Sequence, residues 1–131
     1  MEEKEVKKLL VSEKVTRDKL AVSAGSGSVE VYATPMVIAL MEKAAAALAQ
    51  EFIEDDCTTV GTAVSIEHIA ATAEGVEVFA EAELISQNGR SFEFYVTAYD
   101  NAGVIAKGTH SRFAVNSEKF LGKAKARANQ E

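Results

Sequence analysis

Polar and apolar positions fall into two periods along this chain. From Met36 to Ala49 nearly every residue is apolar, interrupted only by Glu42 and Lys43. These are mostly good helix formers. Thr34 followed by Pro35 reads as an N-cap and a first helical residue, so a helix is predicted over about residues 35–53. A surface helix would carry a broad polar face; this one is expected to be buried on most sides. The period then drops to two. Val60, Thr62, Val64, Ile66 and His68 alternate with Gly61, Ala63, Ser65 and Glu67, which predicts a strand with the first set inward. Val76, Val78, Ala80, Ala82 and Leu84 form the next inward set. Asn88-Gly89 is a hairpin signal, and Phe92, Phe94, Val96 and Ala98 then face inward. Asp100-Asn101-Ala102-Gly103 supplies a turn before a last strand from Val104 to Val115.

The ends are less patterned. Residues 1–14 read as a short strand or a frayed terminus, and a strand is expected near Val15 to Val22. Ser23 to Ser28, rich in Gly and Ser, reads as a flexible loop. The tail from Ser117, polar and rich in Lys and Ala through 122–131, reads as a short frayed helix or as disorder. No repeat or second unit is visible, so one domain over 1–131 is expected, with its core at about 12–121. A strand, a buried helix and an antiparallel meander make an α+β pattern. To cover the helix, the sheet must curl around it, which is the hotdog arrangement. The pattern alone also allows an open α+β sandwich.

Composition narrows the function. The net charge of −6 argues against a nucleic-acid partner, which needs clustered Lys and Arg. It leaves room for a phosphate-bearing small molecule met by a local basic patch. The single cysteine, Cys57, excludes an intramolecular disulfide framework and reads as structural or incidental. The opening MEEKEVKK is charged where a signal peptide would be apolar, and Ala33 to Ala49 is at best marginal for spanning a bilayer. A cytoplasmic protein without membrane contact is therefore expected. Two histidines and scattered carboxylates give no metal-ligand spacing, and no Gly-rich phosphate loop or Gly-x-Ser-x-Gly elbow is present.

Three residues stand out chemically. Glu42 lies inside an apolar helix, so it must be paired, protonated or beside a cavity, unless it and Lys43 merely mark a solvent stripe. His68 falls on the inward face of its strand, as a functional group or as a satisfied core histidine. Thr34 opens the helix, where unpaired N–H groups and the positive end of the dipole can hold a developing oxyanion; it can equally be an ordinary cap. His110 falls in register with Gly108, Arg112 and Ala114, opposite Phe113 and Val115, and is read as outward-facing.

Several stretches resemble the fluoroacetyl-CoA thioesterase-like family of hotdog proteins. They are Val31-Tyr32-Ala33-Thr34-Pro35-Met36, Leu40-Met41-Glu42, Gly61-Thr62-Ala63-Val64 through His68, Ala70-Ala71-Thr72, and Gly108-Thr109-His110-Ser111-Arg112. The resemblance runs over roughly residues 12–121. It implies a hotdog fold, a homodimer with its active site at the interface, and hydrolysis of acyl-CoA thioesters. Whether dimers pair further into tetramers stays open. The resemblance also implies a catalytic trio at Thr34, Glu42 and His68, with Tyr32, Pro35, Gly61 and Arg112 as substrate-binding positions. Coenzyme A enters as part of the substrate, with no separate cofactor. Arg112, Lys107, Arg90 and Lys119 are the candidates for its phosphates. The loop Ala24-Gly25-Ser26-Gly27-Ser28 has no aromatic residue to build an apolar lid, so a different or broader acyl specificity is expected. A binding protein that holds acyl-CoA without turnover is the competing reading. A hydratase on the same fold lacks its Asp and His motif here.

Overall fold

The structure, a computed structural model, describes residues 6–130. Five strands form one antiparallel sheet: β1 (Lys8–Lys14), β2 (Cys57–His68), β3 (Glu77–Asn88), β4 (Ser91–Asp100) and β5 (Gly103–Asn116). Their order across the sheet is β1-β3-β4-β5-β2, so β1 and β2 are the edges. Three helices accompany them: α1 (Ala21–Ala24), α2 (Thr34–Gln50) and α3 (Ser117–Ala128).

The sheet curls around α2, which is why that helix is so apolar. Val37, Leu40, Met41, Ala44, Ala45, Leu48 and Ala49 are buried on it. They pack against Val78, Ala80, Ala82, Phe92, Phe94, Val96 and Ala98 of β3 and β4. Alternate residues of a strand share a face, so the two-residue period read from the sequence is the inner wall of this core. Truncating Met41, which is fully buried, to alanine would cost about 2–5 kcal/mol through lost burial and a cavity. Burial of α2 is not complete: Ala39, Lys43, Ala47 and Gln50 form an exposed stripe at spacings of four, four and three residues.

Several local expectations shift. The first described strand is Lys8–Lys14; Val15 to Val22 instead holds a 3-10 turn at Arg17–Lys19 and the start of α1, anchored by buried Val15 and Leu20. The part of the 1–14 reading that concerns residues 1–5 lies outside the described residues. The β3–β4 turn is Gly89-Arg90, one residue later than the Asn88-Gly89 signal, because Asn88 still pairs with Ser91. Gly89 takes the positive φ of 63° at the first turn position. The helix begins one residue earlier than expected: Ala33 is the N-cap, with no side-chain cap, and Pro35 is the second helical residue. The tail is a 12-residue helix, capped by the Asn116 side chain accepting from the Lys119 N–H, with no buried residue.

The alternation of β2 breaks at a bulge between Gly61 and Ala63. Val64, Ile66 and His68 keep the expected inward phase, since they pair with inward His110, Gly108 and Ala106. Before the bulge the phase reverses, so Thr59 and Gly61 face inward and Val60 sits outward opposite Phe113. A two-residue period cannot reveal an inserted residue, so Val60 was misplaced.

Candidate active site

Two clusters of chemical groups lie along α2, on the side nearest β2. The first is at the helix start. The Thr34 hydroxyl lies 2.7 Å from His68 Nδ1, joining the first residue of α2 to the last residue of β2. Thr34 is the first helical residue and not the cap, and its hydroxyl is turned to the histidine. The backbone there is nearly all occupied. The Tyr32 and Ala33 N–H groups donate to the Thr72 and Lys19 carbonyls, and those of Met36 and Val37 both donate to the Ala33 carbonyl. Pro35 has no N–H. Among the described residues nothing accepts from the Thr34 N–H, which leaves it as the donor at the positive end of the helix.

His68 is half-buried. Burial pushes its pKa below the ordinary histidine value, and the Ala70 backbone opposes this more weakly. Its Nε2 is buried and has no hydrogen-bond partner of normal geometry among the described residues. A neutral imidazole with one free nitrogen is a poised proton acceptor or donor. Around this pair runs a cleft of 280 Å³, lined by Ala21, Ser26, Val31, Tyr32, Ala33, Thr34 and His68 to Ala71. Its lining is mostly small or apolar and carries no Lys, Arg, Asp or Glu.

The second cluster surrounds Glu42, about 12 Å further along the helix axis at 1.5 Å per residue. Glu42 Oε2 lies 3.5 Å from Arg112 Nη1. Arg112 is buried, and its Nε and Nη2 donate to the Thr59 hydroxyl and carbonyl at 2.7 and 2.8 Å. Burial lowers the Arg112 pKa, with Glu42 opposing. Next to Arg112 lies His110 Nε2, 3.2 Å from the same Nη1, while His110 Nδ1 is 2.8 Å from the Ala63 carbonyl. Gly61 completes the group. A Cβ there would come within 2.7 Å of Glu42 Oε2, 3.2 Å of His110 Cε1 and 3.4 Å of Arg112 Nη1. The absence of a side chain at Gly61 keeps open a 340 Å³ cleft lined by Glu42, Gly61, Thr62, Ala63, Val64 and His110.

Thr34 and His68 thus meet within one chain, and Glu42 does not join them. The outward reading of His110 is wrong: it is 2% exposed and faces the interior. The alternation of β5 was read correctly but assigned to the wrong side. Its inner face carries Ala106, His110, Arg112 and Ala114, and the two polar members of this set mimic an outer face. The expectation that Arg112 meets coenzyme A phosphates at a channel mouth fails for the same reason, since its guanidinium is turned to Thr59, His110 and Glu42. Neither cleft is lined by a Lys or an Arg. Tyr32 borders the first cleft, but its hydroxyl donates to Glu13 at 2.5 Å, and burial raises its pKa. Pro35 is exposed and lines neither cleft. A larger depression of 610 Å³ lies on the opposite face of the sheet, beside Tyr95, Thr97, Lys107 and Thr109, and holds none of the trio.

A five-stranded antiparallel sheet wrapped around one central helix, with polar groups along the flank of that helix, defines a hotdog-fold protein of the thioesterase type. The chain belongs to the fluoroacetyl-CoA-specific thioesterase (FlK) family, whose sequence profile matches residues 15–118. It is similar to the fluoroacetyl-CoA thioesterase of Streptantibioticus cattleyicolor, with 38% identity over 96 residues, spanning 73% of this chain and 69% of that one. A crystal structure of the fluoroacetyl-CoA thioesterase FlK superposes with a TM-score of 0.87 and 29% identity over the full length of both chains. A thioesterase superfamily member from Thermus thermophilus matches in fold, with a TM-score of 0.83 and 22% identity, covering 95% of this chain and 94% of the other.

Proposed function

We propose that this protein hydrolyses short acyl-coenzyme A thioesters to a free acid and coenzyme A, as a homodimer whose active sites are each shared between two copies. Membership of a thioesterase family supports the activity. On this chain, the observation that carries it is the Thr34–His68 pair beside an unoccupied helix-start N–H. The separation of that pair from Glu42 supports the shared site.

β2 is a 12-residue edge strand, exposed from Gly61 to Ser65, and a bare edge of that length is a template for pairing. A second copy added antiparallel through β2 makes a two-fold, self-complementary contact. With the axis between Val64 and Ser65, Gly61 of one copy lies opposite His68 of the other. Glu42 of one copy then faces the Thr34–His68 pair of the second.

In this reading the thioester carbonyl oxygen is held by the Thr34 N–H at the positive end of α2. Glu42 takes a proton from water, and the hydroxide adds to the carbonyl carbon. The tetrahedral intermediate collapses, the C–S bond breaks, and the departing thiolate takes the proton that Glu42 removed from water, directly or relayed through Nε2 of His68, so that both side chains end as they began. Thr34 fixes the imidazole through its hydroxyl. Direct attack by Glu42, through a mixed anhydride, is the variant in which labelled water enters the Glu42 carboxylate.

The cleft beside Thr34 suits a small, uncharged acyl group, since Ala21, Val31, Ala33, Ile69, Ala70 and Ala71 line it without a cation or anion. A broad set of short acyl groups is expected, rather than a fluorinated one alone. A cytoplasmic setting belongs to the same proposal, and the unpaired Cys57 is compatible with a reducing compartment. No described helix is long and apolar enough to cross a membrane.

The test is thiol release from a panel of short acyl-CoA esters by the purified protein. Cys57 contributes a constant thiol background, to be subtracted. Turnover of several esters is expected. Tight binding of all of them with no thiol released would replace the enzyme by a binding protein.

A further inference from the structure

The Glu42 cluster contains a group with no part in the chemistry above. His110 is buried, faces the interior, and has both ring nitrogens engaged. Its Nδ1 lies against a carbonyl, which can only accept, so Nδ1 carries the hydrogen. Its Nε2 lies against Arg112 Nη1, which can only donate, so Nε2 is bare. Both neighbours therefore select one neutral tautomer, and protonation of Nε2 would set two cations against each other.

The consequence reaches Glu42 through Arg112. Nε and Nη2 of the guanidinium are fixed by Thr59, and Nη1 is left to face both His110 and Glu42. At 3.5 Å the contact with Glu42 is at the outer limit for a hydrogen bond. Thr59 holds two corners of the planar guanidinium, and the acceptor at His110 Nε2 holds the third, Nη1, the one that faces Glu42; a small shift of Nη1 makes or loses the contact. The Ala63 carbonyl that orients His110 belongs to the β2 bulge, the same irregularity that turns Gly61 toward Glu42.

We propose that His110 is a positioning residue for thioester hydrolysis: locked as the Nδ1–H tautomer by the Ala63 carbonyl, it accepts from Arg112 and aims that guanidinium at the Glu42 carboxylate. The proposal rests on Glu42 being catalytic. The charged groups that act on His110 are Arg112 on its own strand, Glu42 on α2 and Glu93 on β4. Burial, the largest influence, and Arg112 favour the neutral form; the Ala63 carbonyl and the two carboxylates oppose them, and the net shift is downward.

Three variants test the proposal: Glu42→Gln, His110→Asn and His110→Gln. Asparagine can keep the donor toward Ala63 but cannot reach Arg112, whereas glutamine can offer Arg112 an acceptor. The expected result for His110→Asn is a kcat about 10- to 100-fold below wild type, the size of effect that misplacing a catalytic group produces, with KM nearly unchanged. His110→Gln should recover most of the lost kcat. A purely structural histidine would not show rescue by an acceptor in that position. If Glu42→Gln is inactive while His110→Asn keeps full kcat, or if folded His110→Asn and His110→Gln are equally impaired, the role of His110 is overturned. If Glu42→Gln turns over normally, the assignment of Glu42 fails first and this proposal with it. Nitrogen-15 NMR of the wild-type imidazoles needs no variant to fold: the Nδ1–H tautomer is expected, and an Nε2–H tautomer or an imidazolium at neutral pH overturns the proposal.

Discussion

The two ends of the active-site flank of α2 are built on opposite principles. At the helix start, Thr34 and His68 form a sparse pair beside an open, small-residue cleft, with one ring nitrogen and one backbone N–H left without partners. Around Glu42, hydrogen-bonding groups are crowded: Arg112 alone reaches Thr59 twice, His110 and Glu42. The sparse end is equipped to receive a substrate, because its unsatisfied groups gain partners only when a carbonyl or leaving group arrives. The crowded end is equipped to hold one guanidinium still beside a carboxylate. In the proposed mechanism neither end acts alone, which is why that mechanism calls for a second copy.

The largest effect expected is at the crowded end. Glu42→Gln should lower kcat by about 10²- to 10⁴-fold, the range for loss of a general base, and full turnover by a folded variant would remove Glu42 from the chemistry. Glutamine is the appropriate substitution, since alanine would also leave buried Arg112 facing empty space. Joining the two ends across copies gives a second test. Mixtures of Glu42→Gln and His68→Ala, each inactive alone, should regain about a quarter of wild-type activity if chains exchange at random, because half the dimers then carry one intact site. If the exchanged mixture stays inactive, the two ends are not shared between copies.

A smaller effect is expected where the crowded end meets its cleft. Gly61→Ala adds a methyl 2.7 Å from Glu42 Oε2, so the carboxylate must move. Displacement of a reacting group by this much predicts a kcat loss of about 10- to 100-fold. The melting temperature should change little, since Gly61 is at an exposed edge and its φ is not in the left-handed region. Wild-type kcat in Gly61→Ala would show that Glu42 does not need its present position.

The sequence carried the two ends unequally. Thr34 at a helix start and His68 on an inward strand phase were both legible, because each depends on local pattern within one element. At the crowded end Glu42 was legible as a carboxylate that had to be paired or beside a cavity, and Gly61 and Arg112 were named through the family resemblance, but how these groups assemble was not legible. Its assembly depends on the bulge between Gly61 and Ala63, which reverses the strand phase without altering composition. It also depends on β5, where buried Arg112 and His110 read as solvent-facing because polar residues usually are. The one available signal was the pair itself: His and Arg at alternate positions share a face, and Ala106 and Ala114 in the same phase are small enough to line a core. The fold was more legible than the site. The alternating sets of β3 and β4 and the apolar run of α2 are long, and a one-residue error at the start of α2 or the β3–β4 turn does not change which faces meet.

The last prediction compares the ends by pH. Burial lowers the pKa of both His68 and His110, so each is neutral in the folded protein at pH values where an exposed histidine is partly charged. In the unfolded chain both return to about 6.5, so between that value and their lower folded pKa values the unfolded state binds more protons. Stability should therefore rise with pH through this window and fall as the solution is acidified below about pH 6.5. At the sparse end, protonation fills the free nitrogen of His68 and removes the base form without disturbing packing. At the crowded end it places a cation against Arg112. His110→Gln should accordingly flatten the dependence of melting temperature on pH more than His68→Gln does, although both remove one titrating imidazole. Melting curves of the three proteins between pH 5 and 8 read this directly. An equal flattening by the two variants would mean that the Arg112 contact adds nothing to the acid sensitivity of His110 beyond burial.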